Sequence, residues 1–143
     1  MLARRIRDVI RDQKILVGDA ELTVREASRR MAATQVGAIM IALNGRLVGI
    51  FTERDALVRV LAAGLDPDTT RLGQVMTDHP LAVTPDTLLG HALHLMHDGG
   101  FRHVPVVEDG QPVGMVSARD ALGMEMVAFE DELNRRDIIT QVL

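Results

Sequence analysis

The chain has 143 residues, 47% of them hydrophobic, enough apolar material for the core of one domain. Its 20 Asp and Glu against 16 Lys and Arg give a net charge of −4, which argues against nucleic acid as the main partner, because that binding rests on clustered cations neutralising phosphates. Without cysteine there is no disulfide or thiolate chemistry, and no run approaches the roughly 20 apolar residues of a membrane span, so a cytoplasmic protein without membrane contact is expected.

Residues 1–13 read as an N-terminal helix of mixed Arg and Asp. Residues 14–17 are a short apolar run expected as a strand, and Val24, Ala27 and Met31 then recur at helical spacing before Gly37. Residues 38–43 and 47–51 flank Asn44-Gly45, a strong hairpin signal because both positions of a type I′ turn need positive φ. A helix is expected from Glu53, with Ala56, Leu57, Val60 and Leu61 on one face and Gly64 closing it. Residues 65–80 form a turn-rich linker with a short helical turn over 72–76. The order then recurs: a strand over 81–83, a helix over about 87–98, a hairpin turning at Asp109-Gly110, and a helix from Ala118. Pro105 points to an edge or strand-start position. The last segment, 124–143, reads as a helix with Met126, Phe129, Leu133 and Ile138 on its apolar side.

The recurrence is literal. Residues 16–57 return without a gap 65 positions on, as 81–122, with ten identities: Leu16/Leu81, Ala27/Ala92, Met31/Met96, Gly45/Gly110, Val48/Val113, Gly49/Gly114, Arg54/Arg119, Asp55/Asp120, Ala56/Ala121 and Leu57/Leu122. Units of about 60 residues are marginal alone, so the repeats, 14–64 and 81–123, are expected to share a core. The identities cluster in G-x-x-[T/S]-x-R-D, at Gly49 to Asp55 and Gly114 to Asp120. Two readings stay open. Thr52 with Asp55, and Ser117 with Asp120, have the spacing of a capping box at a helix start. Capping leaves Arg54 and Arg119 unexplained, because the helix dipole disfavours cations there unless an anion joins them. An ionised Asp also offers two acceptors to the paired hydroxyls of a ribose.

The pattern resembles a tandem of cystathionine-β-synthase (CBS) domains, a Bateman module. The residues that carry the resemblance are Gly49-x-x-Thr52-x-x-Asp55, Gly114-x-x-Ser117-x-x-Asp120, Phe101-Arg-His-Val-Pro-Val-Val107 before the Asp109-Gly110 turn, and the lead-in Val75-Met76-Thr77. It implies an α/β (α+β) fold of two β-α-β-β-α repeats about a pseudo-twofold axis, with an adenosyl-ligand cleft at each motif. By that resemblance Asp55 and Asp120 hold ribose hydroxyls, and Thr52 and Ser117 bond ribose or phosphate. Lys14, Leu16, Val36, Gly37, Ala38 and Met115 surround the base in the cleft of Asp120, and Ile50, His79, Leu81 and Phe101 in that of Asp55. Arg102 and His103 resemble the family's basic pair facing phosphate. The first repeat departs from the pattern with Gly37 and Ala38 at those places, so cation supply at the two clefts is expected to be unequal.

His91, His94 and His97 invite a metal reading, but their counterparts Glu26, Arg29 and Ala32 are those of a solvated face, and no metal site is expected. Met31 and Met96 are read as core, and Met124 and Met126 as interface candidates. No phosphate-binding glycine loop or nucleophile elbow is present, so an enzyme is not expected. The resulting expectation is a regulatory sensor, dimeric through its helical faces, that binds AMP, ADP, ATP or NAD without a catalytic cofactor and signals to a protein in trans. The alternative is a constitutive interaction module whose motifs only cap helices.

Overall fold

The computed structural model describes residues 4–142; the first three residues of the expected N-terminal helix, and Leu143, lie outside the described residues. The strands are β1 (Val17–Gly18), β2 (Ala38–Leu43), β3 (Arg46–Thr52), β4 (Thr77–Asp78), β5 (His103–Glu108) and β6 (Gln111–Ser117). The helices are α1 (Ile6–Ile10), α2 (Val24–Thr34), α3 (Glu53–Asp55), α4 (Leu72–Val75), α5 (Leu89–Gly99) and α6 (Gly123–Val142). A π-helical segment (Ala56–Leu61) continues α3, and a 3-10 turn (Ala118–Asp120) follows β6. β1 to β4 form one sheet in chain order, with β1 parallel to β2 and the other pairs antiparallel; β5 and β6 form a second, two-stranded sheet. Among the described residues no helix is long and apolar enough to cross a membrane.

Both hairpins turn at the expected residues. Asn44 and Gly45 have φ of 52° and 79°, and Asp109 and Gly110 of 54° and 80°, the doubly positive pair that a type I′ turn requires. Each hairpin also carries a register shift at the matched place, between Ile41 and Ala42 and between Val106 and Val107.

The first strand of each repeat differs from expectation. In the first repeat it lies at Val17–Gly18, later than the apolar run over 14–17. In the second, residues 81–83 reduce to one parallel bridge, Val83 with Val106. The cause is Pro105. Met40 donates its N–H to the Leu16 carbonyl at 3.1 Å, whereas Pro105, at the matched position, has no N–H to offer Leu81. Pro105 accepts from Val83 N–H instead (3.0 Å), on the side of β5 that β6 leaves open.

Each repeat has its own core, and the segment leading into each repeat completes the core of the other. Leu72 and Val75 of α4, just ahead of the second repeat, are buried with Val24, Ala27, Met31, Ile39, Ile41, Phe51 and Val60 of the first. Ile6 of α1, ahead of the first repeat, is buried with Val83, Leu89, Leu93, Met96, Val104, Val106 and Val116 of the second. The exchange is anchored by matched backbone bonds: Leu72 N–H to Leu22 O, and Ile6 N–H to Thr87 O, both 2.9 Å. The repeated glycines receive these lead-ins. A Cβ on Gly114 would stand 2.7 Å from Ile10 Cγ2, and one on Gly49 would collide with the Met76 thioether. Among the described residues the helix expected over 1–13 is the five residues of α1, because past Ile10 the chain must run along β6.

The helices that follow the motifs diverge. Val60 is buried and keeps the first helix on its core, but Leu57 and Leu61, expected on the same face, are exposed (57% and 73%) because the helix rewinds to a π pitch. The residue matched to Val60 is Glu125. It is 7% exposed, accepts from Leu122 N–H (2.8 Å) and pairs with Arg4 Nη2 (2.9 Å), so the second helix breaks after Asp120 and restarts as α6. Burial pushes the Glu125 carboxyl up, but the Arg4 hydrogen bond, the Leu122 N–H and the Arg4 charge together hold it below the usual carboxylate range. Met126, Phe129 and Leu133 of α6 are half-buried, while Ile138 is exposed.

Candidate functional site

The two motifs sit where a strand passes into a helical turn. Thr52 donates its N–H and hydroxyl to Asp55 Oδ2 (2.9 and 3.0 Å) and accepts the Asp55 N–H at 3.2 Å. Ser117 donates its N–H and hydroxyl to Asp120 Oδ2 (2.7 and 3.4 Å). Both capping boxes are formed. Matched backbone bonds fix the turns to the strands before them: Glu53 N–H to Gly37 O (2.9 Å) and Ala118 N–H to Arg102 O (3.1 Å). Capping uses one oxygen of each acid. Asp55 Oδ1 lies 3.6 Å from Arg59 Nε, and among the described residues Asp120 Oδ1 accepts no hydrogen bond.

The hairpins of the two repeats face each other, with β3 against β5 and β6, and Leu47 N–H bonded to Gly110 O at 2.9 Å. Clefts open beside both motifs. Around Asp55 a cavity of about 640 Å³ is lined by Ile50, Thr52, Glu53, Arg54, Asp55, Leu57, Thr77, Pro80, Leu81, Gly100, Phe101, Arg102 and His103. Around Asp120 a cavity of about 110 Å³ is lined by Gln13, Lys14, Ile15, Leu16, Val36, Gly37, Ala38, Met40, His103, Met115, Ser117, Arg119 and Asp120. A third, of about 350 Å³, shares Val36, Gly37, His103, Ser117 and Arg119 with it and adds Glu53 and Arg102, so it forms the charged end of the same cleft.

The residues expected around Asp120 all line its cleft: Lys14, Leu16, Val36, Gly37, Ala38 and Met115, with Ser117 and Arg119. Around Asp55 the structure gathers Thr52, Arg54, Ile50, Leu81 and Phe101. His79 is not brought into either lining. Its backbone is left-handed (φ 47°), its N–H goes to Val48 O (3.2 Å), and Thr77 and Pro80 on either side line the cavity. Arg102 and His103, expected at the phosphate end of a cleft, both lie on the lining of two.

Burial is the main influence that lowers the His103 pKa; Arg119 and Arg102 add to it, and Glu53 and Asp120 act the other way. His103 is therefore weighted towards the neutral imidazole, and the fixed cations lining the clefts are Lys14, Arg54, Arg102 and Arg119.

Several lining residues escaped the sequence, Glu53 and Gln13 among them. Glu53 lines the charged ends of both clefts; the repeat hid it, because Ala118 stands at the matched position. Gln13 makes a paired contact with the Met115 peptide, donating to Met115 O (2.7 Å) and accepting from Met115 N–H (2.8 Å). The matched residue Ile50 instead pairs with Thr77 of β4, so a side-chain amide does for β6 what a short strand does for β3. A visible signal was available: Arg5, Ile6 and Val9 match Arg71, Leu72 and Val75 at a spacing of 66, and the one-residue offset broke the repeat.

Of the helical histidines, His94 and His97 make side-chain contacts with α6. His94 Nε2 lies 2.5 Å from Glu132 Oε2 and its Nδ1 3.1 Å from Arg136 Nη1, while Phe129 packs edge-on against His94 and His97 at 4.9 and 6.0 Å. Among the described residues no cluster of His, Asp and Glu has the arrangement of a metal site. Met31 and Met96 are buried, Met126 is half-buried and Met124 is 68% exposed.

The CBS domain family model matches residues 6–62 and 72–125. CBS domain-containing protein CBSCBSPB2 of Arabidopsis thaliana is 40% identical over 114 residues, covering 79% of this chain and 21% of its own length, so the chain spans about a fifth of that relative. A CBS domain protein from Pyrobaculum aerophilum, solved in complex with AMP, superposes with a TM-score of 0.79 at 23% identity, over 90% of this chain and 99% of its own. The CBS domain pair of protein MJ0100, in complex with 5′-methylthioadenosine and S-adenosyl-L-methionine, superposes with a TM-score of 0.73 at 22% identity, over 83% and 93% of the two chains. At these identities the two structures establish likeness of fold. With one match on each repeat, the chain belongs to the CBS domain family and carries the domain as a tandem pair.

Proposed function

We propose that the two clefts bind adenosine-containing small molecules, of the class of AMP, ADP, ATP or NAD, and that the protein is a non-catalytic regulatory module whose ligand state is read by a partner protein. The observation that carries this reading is that both repeated carboxylates line cavities together with the hydroxyl and arginine of their own motif, one cavity being about 640 Å³. The Pyrobaculum protein was solved with AMP and the MJ0100 pair with two adenosine derivatives, which supports the choice of ligand class. Asp55 and Asp120 would receive the ribose hydroxyls, and the arginines any phosphate. A ligand can shift the module only by its differential affinity for two states. A panel of AMP, ADP, ATP, NAD and S-adenosylmethionine in a thermal-shift assay tests this. A true ligand at 100 times its Kd adds about 2.7 kcal/mol of stability; no shift with any of the five removes the reading.

The second reading, a constitutive interaction module, is favoured by the completed capping boxes, which give Thr52, Asp55, Ser117 and Asp120 a structural use without a ligand. Both readings include a homodimer in the cytoplasm. Support for association is the exposure of Leu57, Val58 and Leu61 after the first motif and of Leu122, Met124 and Val127 after the second. Light scattering of the purified chain tests it, with a monomeric mass at micromolar concentration as the contrary result.

A further inference from the structure

We infer that the two clefts share one anion-binding group, so that phosphate-bearing ligands bind them with negative coupling while an unphosphorylated adenosine does not. The inference rests on the proposed adenosyl reading and concerns how the two sites regulate each other.

Arg102 and His103 belong by sequence to the second repeat, beside Phe101 in the Asp55 cleft, and they also line the charged end of the Asp120 cleft. Gly37 makes room beside them at the seam. A Cβ there would lie 2.9 Å from Glu53 Oε1 and 3.2 Å from His103 Cε1, so the missing side chain leaves the space that Glu53 and His103 occupy where the clefts meet. The first repeat offers Gly37 and Ala38 where the second offers Arg102 and His103, so it has no cation pair of its own to return. Each cleft keeps one private arginine, Arg54 or Arg119, and the Asp120 cleft has Lys14 as well, while Arg102 is held in common.

Glu53 sharpens the competition. It lines both charged ends, so the shared region carries a fixed negative charge beside its fixed positive one. The first phosphate dianion to bind takes up Arg102. A second then meets only the private cations of its own cleft, Arg54 or Arg119 with Lys14, together with the Glu53 carboxylate and the first dianion across the seam. In a partly desolvated cleft this repulsion is screened far less than in bulk water. An adenosine lacking phosphate meets neither problem, because ribose and base are held by parts of each cleft that are not shared.

The test is calorimetric titration of the full chain with AMP and with adenosine. The expected result is two AMP sites whose affinities differ by about tenfold or more, the gap narrowing at high salt, beside two adenosine sites that fill without coupling. Arg102→Gln should weaken AMP at both sites together, and Glu53→Gln should narrow the gap between first and second AMP. AMP filling both clefts with equal affinity overturns the inference, as does adenosine showing the same gap as AMP, or Arg102→Gln weakening one site alone. Failure of both AMP and adenosine to bind is a different outcome, and it overturns the adenosyl reading along with the inference.

Discussion

Replacing both motif acids, Asp55→Ala with Asp120→Ala, separates helix capping from ligand binding because each predicts a different thermal signature. Without ligand, the pair loses the acceptors of the Thr52 and Ser117 N–H groups, at 2.9 and 2.7 Å. Each cap is worth about 1 kcal/mol, and the two lie in separate repeats, so about 2 kcal/mol is lost in all. At about 2.1 cal/mol/K per residue, the 143-residue chain shifts its Tm by about 3 °C per kcal/mol, so the unliganded variant should melt about 6 to 7 °C below wild type. With AMP at 100 times the wild-type Kd, wild type should gain about 2.7 kcal/mol, or about 9 °C. Loss of a charged hydrogen-bond acceptor costs about 1.5 to 3 kcal/mol, enough to reduce affinity about 100-fold and the gain to about 1 °C. Differential scanning calorimetry of both proteins with and without AMP reads all four values. An AMP-induced gain that is the same in variant and wild type would refute the assignment of these acids to the ligand.

Arg4→Ala should destabilise by about 2 kcal/mol in urea denaturation, because it strands Glu125, 7% exposed, without its cation; a loss under 0.5 kcal/mol would contradict the pairing. Because the Glu125 carboxyl is held below its ordinary pKa, its contribution is complete above that value and is lost as pH falls through the folded one, a slope that Glu125→Gln should remove. His103, lowered chiefly by burial among Glu53, Arg102, Arg119 and Asp120, takes its proton less readily in the folded state. Unfolded chains therefore bind more protons below pH about 6.5, and stability should fall as pH drops from 7.5 towards 5.5, with His103→Gln flattening the profile. Gly114→Ala should cost about 1 to 3 kcal/mol by forcing Ile10 and α1 off the second core, and hydrogen exchange should locate the loosening at α1.

Features set by near neighbours were legible in the sequence: the repeat, the doubly positive turns at Asn44-Gly45 and Asp109-Gly110, the buried faces of α2 and α5, and the capping spacing of both motifs. Each depends on backbone sterics or helical period over a few residues, and such forces leave a mark in residue order. Pro105 lies in an edge strand as expected, but it and Glu125 each break an element whose twin in the first repeat is intact.

What tertiary structure decided is which surfaces meet. That α1 would complete the second core and α4 the first, that Gln13 would close the edge of β6, and that Gly37 would leave space for Glu53 and His103 where the clefts meet all depend on segments far apart in the chain. An apolar run records that it must be covered but not by what, because burial is non-directional, and the partner follows from shape and from backbone groups that find each other only once the repeats have docked.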